Sequence, residues 1–207
     1  MGLSVHNQIE KKILSLKKGT IFFPIDLMEI GSSVAIRQAL ARLERKGIIE
    51  RLSYGIYLYP KKDDLLGVLH PSVDDIAVAI ARRDKSRIIP TGSKALHTLG
   101  LSTQVPMKVV YLTDGAPRKI KIGKQSITFK KTNPKKLAIL RIKGKIIALV
   151  IQALQAIGQE NITNEILNKI TIVLKNEQKE NIIKGAMLAP AWISKILFSL
   201  TDNNRNI

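Results

Sequence analysis

Residues Ser32–Pro60 read SSVAIRQALARLERKGIIERLSYGIYLYP, and the spacing of the apolar residues changes inside this stretch. Ser32 or Ser33 suits a helix N-cap, because a hydroxyl there accepts from a first-turn N–H that has no partner within the helix. Ile36, Leu40 and Leu43 then recur at helical spacing on one face, and Gly47 marks the end. The opposite face offers Ser33, Arg37, Gln38, Ala41, Arg42 and Arg45. Directly afterwards Ile48–Leu52 and Ile56–Tyr59 are β-rich runs around Ser53-Tyr54-Gly55, which predicts a hairpin with Gly55 in the turn.

Upstream, Val5, Ile9, Ile13 and Leu16 predict a first helix from about Ser4 to Lys17. After the apolar Ile21-Phe22-Phe23, Pro24 suits the first turn of a second helix through Glu29, stopped by Gly31. Two helices joined by a tight Gly-Ser turn and followed by a hairpin have the layout of a winged helix-turn-helix, whose second helix of the pair enters the major groove. Protein-interaction modules use the same order; the charges on the exposed helix face weigh toward DNA.

Composition agrees with a polyanionic partner. The chain has 207 residues, 45% of them hydrophobic, with 34 Lys and Arg against 16 Asp and Glu and a net charge of +18. Residues 1–61 carry 10 basic and 5 acidic groups, residues 62–140 carry 15 and 6, and residues 141–207 carry 9 and 5, so every part is basic and an extended footprint is expected. Solubility alone is the simpler reading of the same charge. The longest apolar runs, Ile146–Ile157 and Met187–Leu200, are interrupted by Gln152, Gln155, Pro190 and Lys195 and fall short of the roughly 20 residues a membrane span needs. His6, Glu10, Lys11 and Lys12 stand where a signal peptide would be apolar, so a cytoplasmic location without membrane association is expected. There is no cysteine, and His6, His70 and His97 are scattered, so neither a metal nor a cofactor is expected.

Each candidate DNA-binding residue has a distinct chemistry. Arg37 can donate in parallel to O6 and N7 of guanine, and Gln38 can pair with adenine. Ser32 and Ser33 at the helix N-terminus, with Arg42, Arg45, Arg51 and Tyr54, suit phosphate oxygens. Capping accounts equally well for the serines, and a solvated surface for the others. A second basic patch gathers Arg118, Lys119, Lys121, Lys124, Lys130 and Lys131, followed by Lys135 and Lys136. In a strand Lys119 and Lys121 share the face opposite Ile120 and Ile122, either extending a DNA footprint, meeting an acidic partner or facing solvent. Few aromatics are interleaved, which argues against single-strand stacking platforms.

The polar Pro60–Asp64 reads as a turn, giving two domains, residues 1–62 and 63–207. A helix from about Ser72 to Arg83 follows, with Ile76, Ala79 and Ile80 inward. Then come a strand Lys108–Leu112, an Asp114-Gly115 turn and strand-like runs Lys119–Ile122 and Gln125–Lys130. Short helices among antiparallel strands make an α+β module, and the final third, from Leu137, reads as three or four helices. The fold expected is α+β: an N-terminal winged helix-turn-helix, a mixed α/β module and a helical C-terminal part.

Two segments in register, VAIRQALARLERKGIIERLSYGIYLYP (Val34–Pro60) and IIPTGSKALHTLGLSTQVPMKVVYLTDG (Ile88–Gly115), resemble the AbiEi antitoxins of type IV toxin-antitoxin systems, which act in phage defence. The resemblance covers roughly residues 5–140. It implies a winged-helix domain that represses its own operon by binding double-stranded promoter DNA with inverted repeats. It also implies an antitoxin-like second domain that counters a cognate nucleotidyltransferase-like toxin. An enzymatic role is not expected of this chain. Gly92-Ser93 matches the Gly-Ser pair of nucleotidyltransferases, but no Asp-x-Asp follows to hold magnesium. Asp74 and Asp75 are adjacent, so they diverge on a helix, and His97 reads as a residue of a short helix packed near Ala95, Leu96 and Leu99.

Overall fold

The computed structural model describes residues 3–132, 138–139, 142 and 144–202. By internal contacts it divides into two compact units, Met1–Ile80 with Lys121–Gly123, and Ala81–Ile120 with Lys124–Ile207. The architecture is α+β, with helices and a small sheet first, a mixed sheet next and helices last.

In the first unit α1 (Val5–Leu14) is capped by Ser4, whose hydroxyl accepts from the Asn7 N–H at 3.3 Å, and it buries Ile9 and Ile13. It ends three residues before the expected Lys17. Ser15 caps it, and the Gly19 N–H donates to the Tyr59 carbonyl, drawing the chain into a sheet. There β1 (Ile21–Phe22), an element without a periodic signal in the sequence, pairs antiparallel with a later strand. The expected second helix through Glu29 is instead a four-residue 3-10 turn, Pro24–Leu27. Its tightness has a local cause: the Asp26 carboxylate accepts from the Phe23 N–H at 2.8 Å, and the Met28 N–H closes on the Ile25 carbonyl.

Helix α2 (Ser33–Arg45) begins at Ser32, whose hydroxyl accepts from the Ala35 N–H at 3.3 Å. It buries Ile36, Ala39, Leu40 and Leu43. Gly47 leaves the helix at φ +68°, a left-handed conformation that glycine adopts without strain. Strands β2 (Glu50–Ser53) and β3 (Ile56–Leu58) follow as the predicted hairpin, and the sheet order is β1-β3-β2. Ser53 faces Ile56 across a Tyr54-Gly55 turn. The core joins Ile9 and Ile13 to Phe22, Leu27, Ile36, Leu40, Leu43, Ile49 and Tyr57, with the Phe22 and Tyr57 rings stacked at 5.8 Å. The winged helix-turn-helix is thus present, with a 3-10 turn as its middle helix.

The expected turn at Pro60–Asp64 is corrected. Lys61–Asp63 form β4, which pairs antiparallel with β5 (Gly67–Leu69). Asp63 accepts from the N–H groups of Leu65 and Leu66, both at 3.0 Å, and these bonds, Leu66 first, hold its carboxyl below the usual range. Helix α3 (Val73–Arg83) opens on a reciprocal cap: the Asp75 N–H donates to the Ser72 hydroxyl oxygen, and the Asp75 carboxylate accepts from the Ser72 N–H.

After α3 the strands β6 (Ile88–Thr91), β7 (Lys108–Thr113), β8 (Arg118–Ile122) and β9 (Gln125–Lys131) build a sheet of order β6-β7-β9-β8, with the short helix α4 (Ser93–Thr98) between β6 and β7. The antiparallel strands expected here are found in β6 and β7, whereas β7 and β9 run parallel, from Lys108 beside Ser126 to Thr113 beside Lys131. The reason is topological: β8 turns at Gly123-Lys124 and takes the sheet edge, so the strand that lies against β7 is the returning one. The helices α5 (Lys145–Ile157), α6 (Asn164–Leu174), α7 (Lys179–Leu188) and α8 (Ala191–Asp202) follow. Ile147, Ile151, Leu154, Ile170, Ile193 and Leu197 form their core, and Ile89, Leu99 and Leu101 pack against it. Helix α7 approaches α5 through Gly185, where a Cβ would lie 2.3 Å from a side-chain carbon of Ile147. Among the described residues no helix is long and apolar enough to cross a membrane.

Candidate nucleic-acid interface

With its apolar face buried, α2 turns three polar rows outward. At 3.6 residues per turn, Ser33, Arg37, Ala41 and Glu44 align toward the wing, Val34, Gln38 and Arg45 run along the middle, and Arg42 lies on the far side. Ser33, Val34, Arg37, Gln38, Arg42 and Arg45 are all exposed. The Ser32 hydroxyl is engaged as the N-cap, which leaves Ser33 as the freer of the two for a phosphate oxygen. Arg37 therefore stands on the side of the exposed face next to the wing.

The wing supplies the second wall. Arg51 on β2 is exposed, and its guanidinium lies 5.4 Å from the ring centroid of Tyr54 at the hairpin tip, a distance at which a cation is attracted to the ring face. Tyr54 is 83% exposed, so this pair presents a positive group and a flat ring together. Between wing and helix runs a groove of about 340 Å³ lined by Pro24, Met28, Arg37, Glu44, Arg51 and Tyr57 among others. Burial pushes the Tyr57 hydroxyl up from its usual pKa against the opposing influence of nearby Arg51. Sequence reasoning had singled out none of Glu44, Tyr57 and Met28, which lie together only once the hairpin folds back. Val34 did carry a legible signal: it is an apolar residue inside a polar helix face.

The second basic patch separates into unlike members. Lys119 and Lys121 are exposed and alternate with half-buried Ile120 and Ile122, and Lys124, Lys130 and Lys131 are exposed as well. Arg118 sits on the isoleucine face. It pairs with Asp84 and lies 5.4 Å over the Phe129 ring, and burial, with Arg83 nearby, lowers its pKa. It serves the packing of the sheet and is not part of the lysine face. Lys135 and Lys136 lie outside the described residues. Two of the carboxylates have local partners: Asp75 caps α3, and Asp114, in its turn with Gly115, accepts from the Arg87 N–H at 2.6 Å. Among the described residues no three histidine or acidic side chains gather as a metal site.

Residues 8–182 match DUF6088, a family of unknown function. The chain belongs to that family. No curated protein matches this DUF6088 chain. Among solved structures it is similar to the RV2827C protein from Mycobacterium tuberculosis, at 12% identity and a TM-score of 0.42, over 95% of this chain and 82% of that one.

Proposed function

We propose that this DUF6088 protein is a transcriptional repressor that binds duplex DNA through α2 and the β2–β3 wing and controls its own operon. The observation that carries the proposal is the exposed Ser33, Arg37, Gln38, Arg42 and Arg45 face of α2 beside a wing bearing Arg51 and Tyr54. This arrangement pairs groups suited to base edges with groups suited to phosphates. The net charge of +18 supports long-range attraction to DNA. The AbiEi-like segments Val34–Pro60 and Ile88–Gly115 support a further assignment: the protein is the antitoxin of a type IV system and counters a nucleotidyltransferase-like toxin encoded beside it. The chain itself carries no catalytic role in this account; the local partners of Asp75 and Asp114 favour that reading.

A reporter driven by the protein's own promoter tests both halves. Wild type should repress it. The double variant Arg37→Ala, Arg51→Ala should lose repression yet still rescue cells from the neighbouring toxin, because rescue is assigned to the remainder of the chain. A wild type that leaves the reporter unchanged would refute the repressor, and a folded double variant that loses rescue together with repression would refute the division of roles.

A further inference from the structure

Val34 is the residue of α2 that the fold does not account for. It is the second residue of the helix and 53% exposed, although Ile36, Ala39, Leu40 and Leu43 already complete the buried face. A β-branched side chain loses rotamer freedom in a helix and is a weaker helix former than alanine, so helix propensity does not favour valine at this half-exposed position. Its immediate neighbours on the solvent face, Ser33, Arg37 and Gln38, are polar or cationic and exposed. What a single apolar group among such neighbours can meet in the major groove is narrowly defined. Base edges there display donors, acceptors and one kind of apolar group, the C5-methyl of thymine.

We infer that Val34 is a specificity-determining residue that packs its γ-methyl groups on a thymine methyl within two base pairs of the base read by Gln38. The inference rests on the proposed DNA-binding function and names what that surface reads. Val34 and Gln38 are one turn apart, about 6 Å along the helix axis, which corresponds to roughly two base-pair steps of 3.4 Å. A site with a thymine within two positions of the adenine read by Gln38 is therefore the chemistry this row selects. The contact also explains why valine and not serine or lysine stands there: only an apolar side chain gains by desolvating a methyl group.

The test uses the full-length protein and a duplex it selects itself from a randomised library. Each thymine of the selected site is replaced in turn by deoxyuridine, which keeps the O4 acceptor and the pairing edge and lacks only the methyl group. Wild type should lose affinity about fourfold at one thymine, the effect of one buried methyl-sized group, and Val34→Ala should show no such loss at that position while unfolding at an unchanged temperature. Val34→Thr, which keeps one γ-methyl, should fall between the two and supplies the comparison if the alanine variant folds poorly. A wild type indifferent to deoxyuridine at every thymine, or variants that retain its full sensitivity, would overturn the role of Val34 and leave sequence-selective binding intact. A library that yields no enriched site would instead overturn the DNA-reading function, and this inference with it.

Discussion

Arg37 and Arg51 carry the same charge and belong to opposite walls of one groove, so they separate base reading from charge attraction. Arg37 lies one turn into α2, where a helix seated in the major groove brings its guanidinium to a base edge. Arg37→Ala should cost on the order of 1–3 kcal/mol on the operator and much less on random DNA, through loss of a bidentate contact. Arg51 is on the wing beside Tyr54, where the backbone is the nearer target. Arg51→Ala should weaken both DNAs alike and reduce the log–log salt slope by about 1. Fluorescence anisotropy at several salt concentrations distinguishes the two patterns; equal losses by both variants on both DNAs, with folding intact, would reduce Arg37 to a phosphate contact. The exposure of Arg37 was legible in the sequence because helical spacing turns it away from Ile36 and Leu40. Arg118 was not, because its partner Asp84 and the ring of Phe129 are distant in sequence, and charge alone cannot tell a packed arginine from a solvated one.

At the scale of elements, the strong periodic signals were read correctly. The apolar spacing of Ile36, Leu40 and Leu43 gave α2, and the β-rich runs around Gly55 gave the wing. Elements whose shape depends on a distant partner were not legible. Strand β1 is two residues long and exists because β3 lies beside it, and the parallel pairing of β7 with β9 follows from which strand takes the sheet edge. The N-terminus of α5 shows the same dependence. It has no capping side chain of its own at Gly144, and the Glu177 carboxylate accepts from the N–H groups of Ile146 and Ile147 at 3.2 and 3.3 Å and from the Asn181 side-chain amide at 2.9 Å. Gly144 is required for that approach, since a Cβ there would lie 2.5 Å from the carboxylate. Removing a cap of this kind costs about 0.5–2 kcal/mol, and Glu177→Ala is expected to destabilise the protein by an amount in that range in urea unfolding, with DNA affinity unchanged. An unaltered midpoint would show that water replaces the carboxylate without loss.

The molecule as a whole is a basic α+β protein of the DUF6088 family with a winged helix-turn-helix at its start. The antitoxin assignment comes from two resembling segments, and neither charge nor periodicity bears on it. What charge does predict is attraction to any duplex, because neutralising phosphates releases counterions whatever the base sequence. Repression requires more than this: the α2 face and the wing must add sequence-dependent contacts to that background. The deciding measurement is equilibrium binding of the full-length protein to duplex DNA from upstream of its own gene and to an unrelated duplex of equal length, each across a salt titration. Both affinities should fall as salt rises, with the promoter duplex remaining the tighter ligand by roughly a thousandfold or more, the lower end of specific over non-specific binding. Equal affinities for the two duplexes at every salt concentration would contradict the account.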